Sequence, residues 1–225
     1  MKNILVIAPH ADDELLGCGG TMAKNIAQGN NVYVLVMTNA HVGAPHLFSA
    51  ELMKTIRSEA RAAHALLGVK ETIFLDFPAP KLDQQPVFEM VGEISKVIAR
   101  YDIDIVYVPH RGDIHKDHKM VFDAALVAVR PRGSYTVKEV YAYETLSETE
   151  WGNPVASDMF IPTKYEIIDE YIFEKKLKAL ECFETQMAAF PASRSLEAVE
   201  ALAKYRGATV SATRAEAFMV VRIIN

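Results

Sequence analysis

The chain alternates between short apolar runs and longer amphipathic stretches, and this alternation restricts the fold more than any other feature of the sequence. Residues 4–8 form a continuous apolar run, which is typical of a strand buried on both faces of a sheet. A helical pattern over residues 13–27 follows, and residues 32–37 form the next apolar run. Two strands joined by a helix make a right-handed βαβ unit. The pattern therefore predicts an α/β fold with a mostly parallel central sheet between two layers of helices.

The same alternation continues to the end of the chain. It predicts further helices at residues 48–67, 87–100, 118–129, 171–189 and 196–205, and further strands at 72–75, 103–108, 137–143 and 218–223. Residues 38–45 and 77–81 are predicted to be loops. The sequence contains no internal repeat, low-complexity tract or linker. We therefore predict one Rossmann-like domain, a three-layer sandwich over residues 1–225, which is a normal length for a single domain.

Composition excludes several classes of protein. Hydrophobic residues make up 50% of the 225 residues and charged residues 24%, which argues against a disordered chain. The net charge of −5, without a basic block, argues against a nucleic-acid partner. No apolar stretch approaches the ~18 residues of a membrane span, and the apolar run near the N-terminus is shorter than a signal-peptide core. We expect a cytoplasmic protein with no membrane partner.

Two polar loops follow the most clearly predicted strands. Residues 9–14 follow the first strand and residues 109–118 follow the strand at 103–108, and together they hold four of the seven histidines. Ligands of such sheets bind beyond the carboxyl ends of the strands. Because loops at one edge can converge, we expect these two to form the functional site.

The spacing within these loops predicts a metal site. His10 and Asp13 are separated by one helical turn, so both can face one ion, and His118 can supply a third ligand. Two imidazoles and one carboxylate leave a coordination position for water, as in a catalytic zinc site. The same ligands can hold Fe²⁺, so zinc and iron stay alternatives.

Acidic and imidazole groups beside these ligands predict hydrolysis of an amide or ester. Asp12 is placed to take a proton from the attacking water. His115 is placed on the opposite side, as an imidazolium that stabilises an oxyanion or protonates a leaving amine. Asp117 or Asp113 is expected to orient its ring.

Other polar residues have simpler interpretations. The glycines at 17, 19 and 20 suggest close packing of a helix on the sheet more than a phosphate-binding turn. Loop or helix-surface positions are expected for three histidines, at 41, 46 and 64. The role of His110 stays open, and for Trp151 we favour a loop anchor over a sugar-stacking ring.

Both polar loops resemble motifs of one known family. Residues 9–21 are similar to the opening motif of the PIG-L/LmbE-like zinc-dependent N-acetylglucosaminyl de-N-acetylases, usually His-Pro-Asp-Asp-Glu followed by a glycine pair. The stretch Asp113-x-His115-x-Asp117-His118 resembles the second motif of that family. Further similar positions run through the chain, at Arg57-x-Glu59, 67–68, 143–145, 178–180, Gln186, 206–207 and 215–218.

The resemblance implies a role for each matching residue. His10, Asp13 and His118 match the zinc ligands. Asp12 matches the general base, His115 the electrostatic or acid group, and Asp117 the partner of that histidine. Arg57 matches an arginine that reaches the substrate, although its position on a predicted helix would by itself suggest only a solvated charge. Ala11 replaces the usual proline, and residues 38–41 depart from the acidic sequence of many members, which bears on the substrate.

These observations lead to one preferred function and three alternatives. We expect a zinc-dependent hydrolase that removes the acetyl group from an N-acetylated amino sugar, an N-acetylglucosamine derivative. The alternatives are an amidase acting on another amide such as a thiol-sugar conjugate, a phosphoesterase, and a non-catalytic sugar- or metal-binding module. The expected partner is a small-molecule N-acetylated sugar, and the resemblance is compatible with a homo-oligomer. Residues 38–45, 77–83 and 146–162 are expected to shape the pocket.

Overall fold

Strands and helices alternate along the chain in a computed structural model, which describes residues 1–131 and 137–225. In chain order the elements are β1 (Asn3–Ala8), α1 (Asp13–Ala27), β2 (Asn31–Asn39), α2 (Ala40–Gly43), α3 (Ala50–Leu67), β3 (Glu71–Pro78), α4 (Val87–Arg100), β4 (Ile105–Pro109), α5 (Lys116–Ala128), β5 (Glu139–Tyr143), β6 (Lys164–Ile167), α6 (Glu170–Leu180), α7 (Leu196–Ala208) and β7 (Ala215–Ile223). Short 3₁₀ turns occur at Leu82–Gln84 and Thr149–Trp151.

The strands form one seven-stranded sheet in the order β3-β2-β1-β4-β5-β7-β6. β1 lies near its centre and pairs in parallel with β2 and β4, so that Ile4 is opposite both Val32 and Ile105. β7 runs antiparallel to β5 and β6. The predicted α/β sandwich with a mostly parallel sheet is confirmed.

Each face of the sheet is covered by helices. Successive side chains of β1 point to opposite faces, so Ile4 and Val6 join one buried cluster while Leu5 and Ile7 join the other. The first cluster contains residues of α1, α3, α6 and α7, and the second contains residues of α4 and α5. Burial on both faces explains why β1 is continuously apolar.

The predicted helix at 171–189 is wrong at its C-terminal end, because α6 stops at Leu180. The chain then turns, yet Leu180 and Phe183 are both fully buried in the same cluster. The spacing of Leu180 and Phe183 continues the helical pattern of apolar residues, although the backbone is no longer helical after Leu180. As a result, residues 181–195 form a long connection that reaches the site described below.

Other differences lie at the edges of the sheet. β6 was not predicted, because its four residues are half-exposed or exposed and lack an apolar run. β2 extends to Asn39 and continues into α2 where a loop was predicted, and β3 extends to Pro78. A Cβ on Gly43 would lie 2.0 Å from the carbonyl oxygen of Ala79, so the close approach of α2 to the chain after β3 requires glycine. Among the described residues, no helix has the length and apolar character needed to cross a membrane.

Candidate active site

The two polar loops meet at one edge of the sheet. β1 and β4 are parallel neighbours, so the loops that follow them leave the sheet at the same end. The ring centroid of His10 lies 4.6 Å from that of His115 and 5.5 Å from that of His118. Adjacent parallel strands thus bring together residues from distant parts of the sequence.

His10, Asp13 and His118 form a cluster with free ligand atoms. Oδ2 of Asp13 lies 3.3 Å from Nδ1 of His10 and 3.3 Å from Nε2 of His118. Within the described part of the chain, Oδ1 of Asp13 and Nε2 of His118 are buried and have no hydrogen-bond partner. Buried polar atoms normally have partners, and two imidazole nitrogens with a carboxylate suit a divalent metal ion. The residues present therefore fit the predicted metal.

Two carboxylates orient the rings of this cluster. Asp113 Oδ2 lies 2.8 Å from Nδ1 of His118, which leaves Nε2 directed at Asp13. Asp117 Oδ2 lies 3.2 Å from Nε2 of His10, which leaves Nδ1 for the centre. Such contacts determine which nitrogen of a histidine is available to a metal. Burial lowers the pKa of His10, but hydrogen bonds with Asp117 and Asp13 outweigh burial and raise that pKa to about 9. The two carboxylates therefore favour a positive charge at the position of His10.

His115 lies beside the cluster and is held mainly by the backbone of Asp117. Its Nδ1 accepts a hydrogen bond of 3.1 Å from the backbone N–H of Asp117, while the carboxylate of Asp117 is 3.9 Å from the same nitrogen. The carboxylates of Asp117 and Asp113 orient His10 and His118 instead. Burial, reinforced by the charge of His10, lowers the pKa of His115 to about 4. Because Nδ1 accepts the backbone hydrogen bond, a neutral ring carries its proton on Nε2 and can donate from that nitrogen.

Asp12 is held in an unusual conformation beside the metal cluster. Its φ of 131° lies outside the common regions for a residue with a side chain. Its N–H donates to Oε2 of Glu14 at 3.1 Å, and its own Oδ2 accepts from Nη1 of Arg194 at 2.7 Å. Burial raises the pKa of Asp12 to about 8, although the charge of Arg194 opposes this. A carboxyl group of this kind can accept and return a proton near neutral pH.

Sequence reasoning missed two residues that support Asp12. Arg194 comes from the connection after α6, and its Nε also donates to Oγ of Ser147 at 2.7 Å. A single arginine in a polar turn carries no signal that would distinguish it. His64 was predicted on the helix surface, but it is 2% exposed and its Nε2 lies 2.9 Å from Oε1 of Glu14. Its position on the buried face of α3, next to Ala63, could have indicated this.

A cavity of about 600 Å³ opens beside the cluster. His10, His115, Glu148 and Arg194 contribute to its lining, and so does Arg57. Nη2 of Arg57 donates to the carbonyl oxygen of Leu75 at 2.6 Å and to Asp76 at 2.7 Å. The side chain of Arg57 is only 19% exposed, so it is part of the cavity wall and not a fully solvated surface charge.

The sequence profile of the PIG-L family, described as GlcNAc-PI de-N-acetylase, matches residues 5–129, a range that includes both polar loops. The chain belongs to the PIG-L family. This confirms the family that the two motifs indicate, and with it an enzyme of the N-deacetylase class, a hydrolase acting on a non-peptide amide.

Two proteins similar in sequence carry deacetylase names. The chain is 31% identical over 185 residues to the uncharacterized deacetylase YaiS of Escherichia coli K12, covering 80% of this chain and 89% of YaiS. It is 33% identical over 127 residues to the diacetylchitobiose deacetylase of Thermococcus kodakarensis, covering 53% of this chain and 46% of that protein. Among solved structures, the conserved protein TT1542 from Thermus thermophilus superposes with a TM-score of 0.80 and 25% identity, over 100% of this chain and 97% of TT1542.

Proposed function

We propose that this protein is a metal-dependent deacetylase that removes the acetyl group from an N-acetylglucosamine derivative. The observation that carries the proposal is the convergence of His10, Asp13 and His118, with buried unpartnered ligand atoms, beside the carboxyl group of Asp12. Membership in a family described by its action on GlcNAc-PI, and similarity to a diacetylchitobiose deacetylase, support this substrate class.

His10, Asp13 and His118 would hold the metal ion, for which we propose Zn²⁺ with Fe²⁺ as the alternative. A bound divalent ion of this kind polarises a carbonyl group and lowers the pKa of water to about 7. Asp113 and Asp117 would keep the two imidazoles oriented.

The remaining residues would handle the protons of amide hydrolysis. Asp12 accepts a proton from the water that attacks the acetyl carbonyl carbon, and Arg194 keeps its carboxyl group in place. The Nε2–H group of His115 donates a hydrogen bond to the developing oxyanion. When the C–N bond breaks, Asp12 returns its proton to the nitrogen, so the products are acetate and the free amine. Arg57 would contact the sugar from the cavity wall.

Metal analysis combined with acetate release tests this proposal. We expect about one zinc per chain after loading, and acetate release from N-acetylglucosamine glycosides. Asp13→Ala should lose both. Asp123→Ala is a matched control in α5, because Asp123 lies outside the cluster and pairs with Arg111 at 2.7 Å. Absence of metal binding after zinc loading, or equal acetate release without metal, would contradict the proposal.

The other sequence-based alternatives have no observation of their own in their favour. Cleavage of a thiol-sugar conjugate or a phosphoester, and a non-catalytic binding role, would each appear in the same assay as absence of acetate. The cytoplasmic location and the homo-oligomer stay predictions.

A further inference from the structure

The cavity beside the metal cluster has two kinds of lining. His10, His115, Glu148 and Arg194 form the catalytic part. A second part, here called the apolar wall, is formed by side chains of α3, β3 and the segments that flank them: Phe48, Leu52, Met53, Ile56, Phe74 and Pro80. The four residues Phe48, Leu52, Met53 and Phe74 are only partly buried, so the described chain leaves part of this wall uncovered.

Several polar groups of the cavity lining are already engaged within the protein. Oγ1 of Thr38 donates to the carbonyl oxygen of Pro9 at 2.8 Å. Nη2 of Arg57 is bound to Leu75 and Asp76, whereas Nε of Arg57 has no hydrogen-bond partner among the described residues. Thr185 is bound to Glu59 through both its N–H and its hydroxyl group. A second sugar ring or a polyol placed against Leu52, Met53 and Phe74 would lose hydrogen bonds to water, because these apolar side chains offer none in return.

We propose that the apolar wall binds a hydrophobic aglycone, an alkyl or aryl group attached to the N-acetylated sugar. The inference rests on the proposed function, since removal of a small acetyl group leaves the aglycone as the part of the substrate large enough to cover the wall. Continuity of the wall with the catalytic part supports a substrate group as its occupant, because His10 and Met53 line one cavity. A cavity of about 600 Å³ lies within the ~300–1,000 Å³ range of small-molecule sites.

A series of glycosides tests the aglycone assignment. The zinc-loaded protein is assayed with methyl, butyl and hexyl glycosides of N-acetylglucosamine, with diacetylchitobiose as the polar comparison. We expect kcat/KM to rise about four-fold per added methylene until the wall is covered, which corresponds to about 0.8 kcal/mol each. Diacetylchitobiose should show no gain over the methyl glycoside. Equal kcat/KM across the alkyl series would overturn the inference.

Variants connect the length dependence to the wall. Met53→Gln should lower the ratio of kcat/KM for the hexyl and methyl glycosides towards one, because an amide replaces an apolar contact. Leu66→Gln on the same helix is the matched control, since Leu66 is 43% exposed and outside the cavity lining, and should keep the wild-type ratio. An unchanged ratio in Met53→Gln would place the hydrophobic contact elsewhere and contradict the inference.

Two further measurements separate failure of this inference from failure of the proposed function. Calorimetry measures the affinity for the methyl and hexyl glycosides without any need for turnover. Tighter binding of the hexyl compound therefore supports the aglycone assignment even if no acetate is released. Absence of acetate would then count against the deacetylase proposal alone. We expect methyl glycosides with longer N-acyl chains to show no increase in affinity or kcat/KM. An increase confined to those compounds would assign the apolar wall to the acyl group and overturn the aglycone assignment.

Discussion

Asp12 shows how much of the chemistry depends on a single side chain and its surroundings. Its backbone conformation is stabilised locally by Glu14, and its carboxyl group is only 1% exposed. Burial is the main reason that its pKa rises to about 8, well above that of a solvated aspartate. An ordinary surface aspartate would be a weaker base, so burial makes Asp12 better suited to its proposed role as the proton acceptor.

Replacement of this carboxyl group gives the prediction at the scale of a residue. Asp12→Asn should lower kcat by about 10²–10⁴, because the amide cannot accept the proton of the attacking water. The zinc content should stay at the wild-type level, since Asp12 is not one of the three proposed ligands. Steady-state kinetics and metal analysis on the same preparation check both parts. A wild-type kcat would remove Asp12 from the mechanism.

At the scale of an element, the connection between α6 and α7 completes the site. It brings Arg194 within 2.7 Å of Asp12, although the two residues are 182 positions apart. The same guanidinium also contacts Ser147 and Glu148, so it joins three separate segments around the cavity.

Removal of this guanidinium should weaken catalysis more than folding. A hydrogen bond to a charged group contributes about 1.5–3 kcal/mol, so Arg194→Met is expected to lower kcat about 10- to 100-fold. Arg194→Lys should recover part of the loss if charge is the main contribution. Arg214 contacts Glu170 and Glu200 instead of the site, so Arg214→Met is the matched control for kcat. Equal kcat in wild type and Arg194→Met would contradict the positioning role.

Packing of α1 on the sheet gives a second prediction for an element. A Cβ on Gly17 would lie 2.3 Å from Cδ2 of Tyr143 and 2.9 Å from the carbonyl oxygen of Glu144, whereas one on Gly92 in α4 would have no atom within 4 Å. Gly17→Ala should therefore destabilise the protein by about 1–3 kcal/mol. Gly92→Ala should stabilise it by about 0.5–1 kcal/mol, the usual gain in a helix interior. Urea unfolding measures the change in the free energy of unfolding for each variant. Equal changes in Gly17→Ala and Gly92→Ala would contradict the packing argument.

At the scale of the whole molecule, a buried ion pair connects α6, α1 and β7. Nζ of Lys176 donates to Oε1 of Glu216 at 2.6 Å and to the carbonyl oxygen of Leu16 at 2.9 Å. Glu216 in turn accepts from the backbone N–H groups of Gly20 and Thr21 at 2.8 and 2.7 Å. These contacts link the helix that carries Asp13 to the antiparallel part of the sheet.

Loss of one partner of this pair should be costly. Lys176→Met leaves Glu216 buried without its counter-charge, which is expected to reduce the free energy of unfolding by about 3–5 kcal/mol. Lys178→Met, at an exposed position of the same helix, is the control and should change it little. Adding Glu216→Gln to Lys176→Met should recover part of the loss. Urea unfolding of wild type and these variants tests this, and a small effect of Lys176→Met would contradict it.

Features that depend on neighbouring residues could be predicted well. The run of β1 and the amphipathic spacing of α1 and α4 reflect burial repeated at regular intervals, and the predicted bounds of both helices agree with the structure. The mostly half-exposed strand β6 has no such regular pattern of burial and was missed. The helix before the site was predicted too long because Phe183 stays buried after α6 has ended.

The sequence by itself determined the fold class, the family and the two polar loops that meet at the sheet edge, because each loop directly follows a predicted strand and carries its histidines and carboxylates within a few residues. Tertiary structure decided how those side chains are used. It pairs Asp113 with His118 and Asp117 with His10, and it supplies Arg194 from a distant connection. Such contacts depend on the three-dimensional path of segments far apart in the chain, and periodicity describes only residues that are near one another.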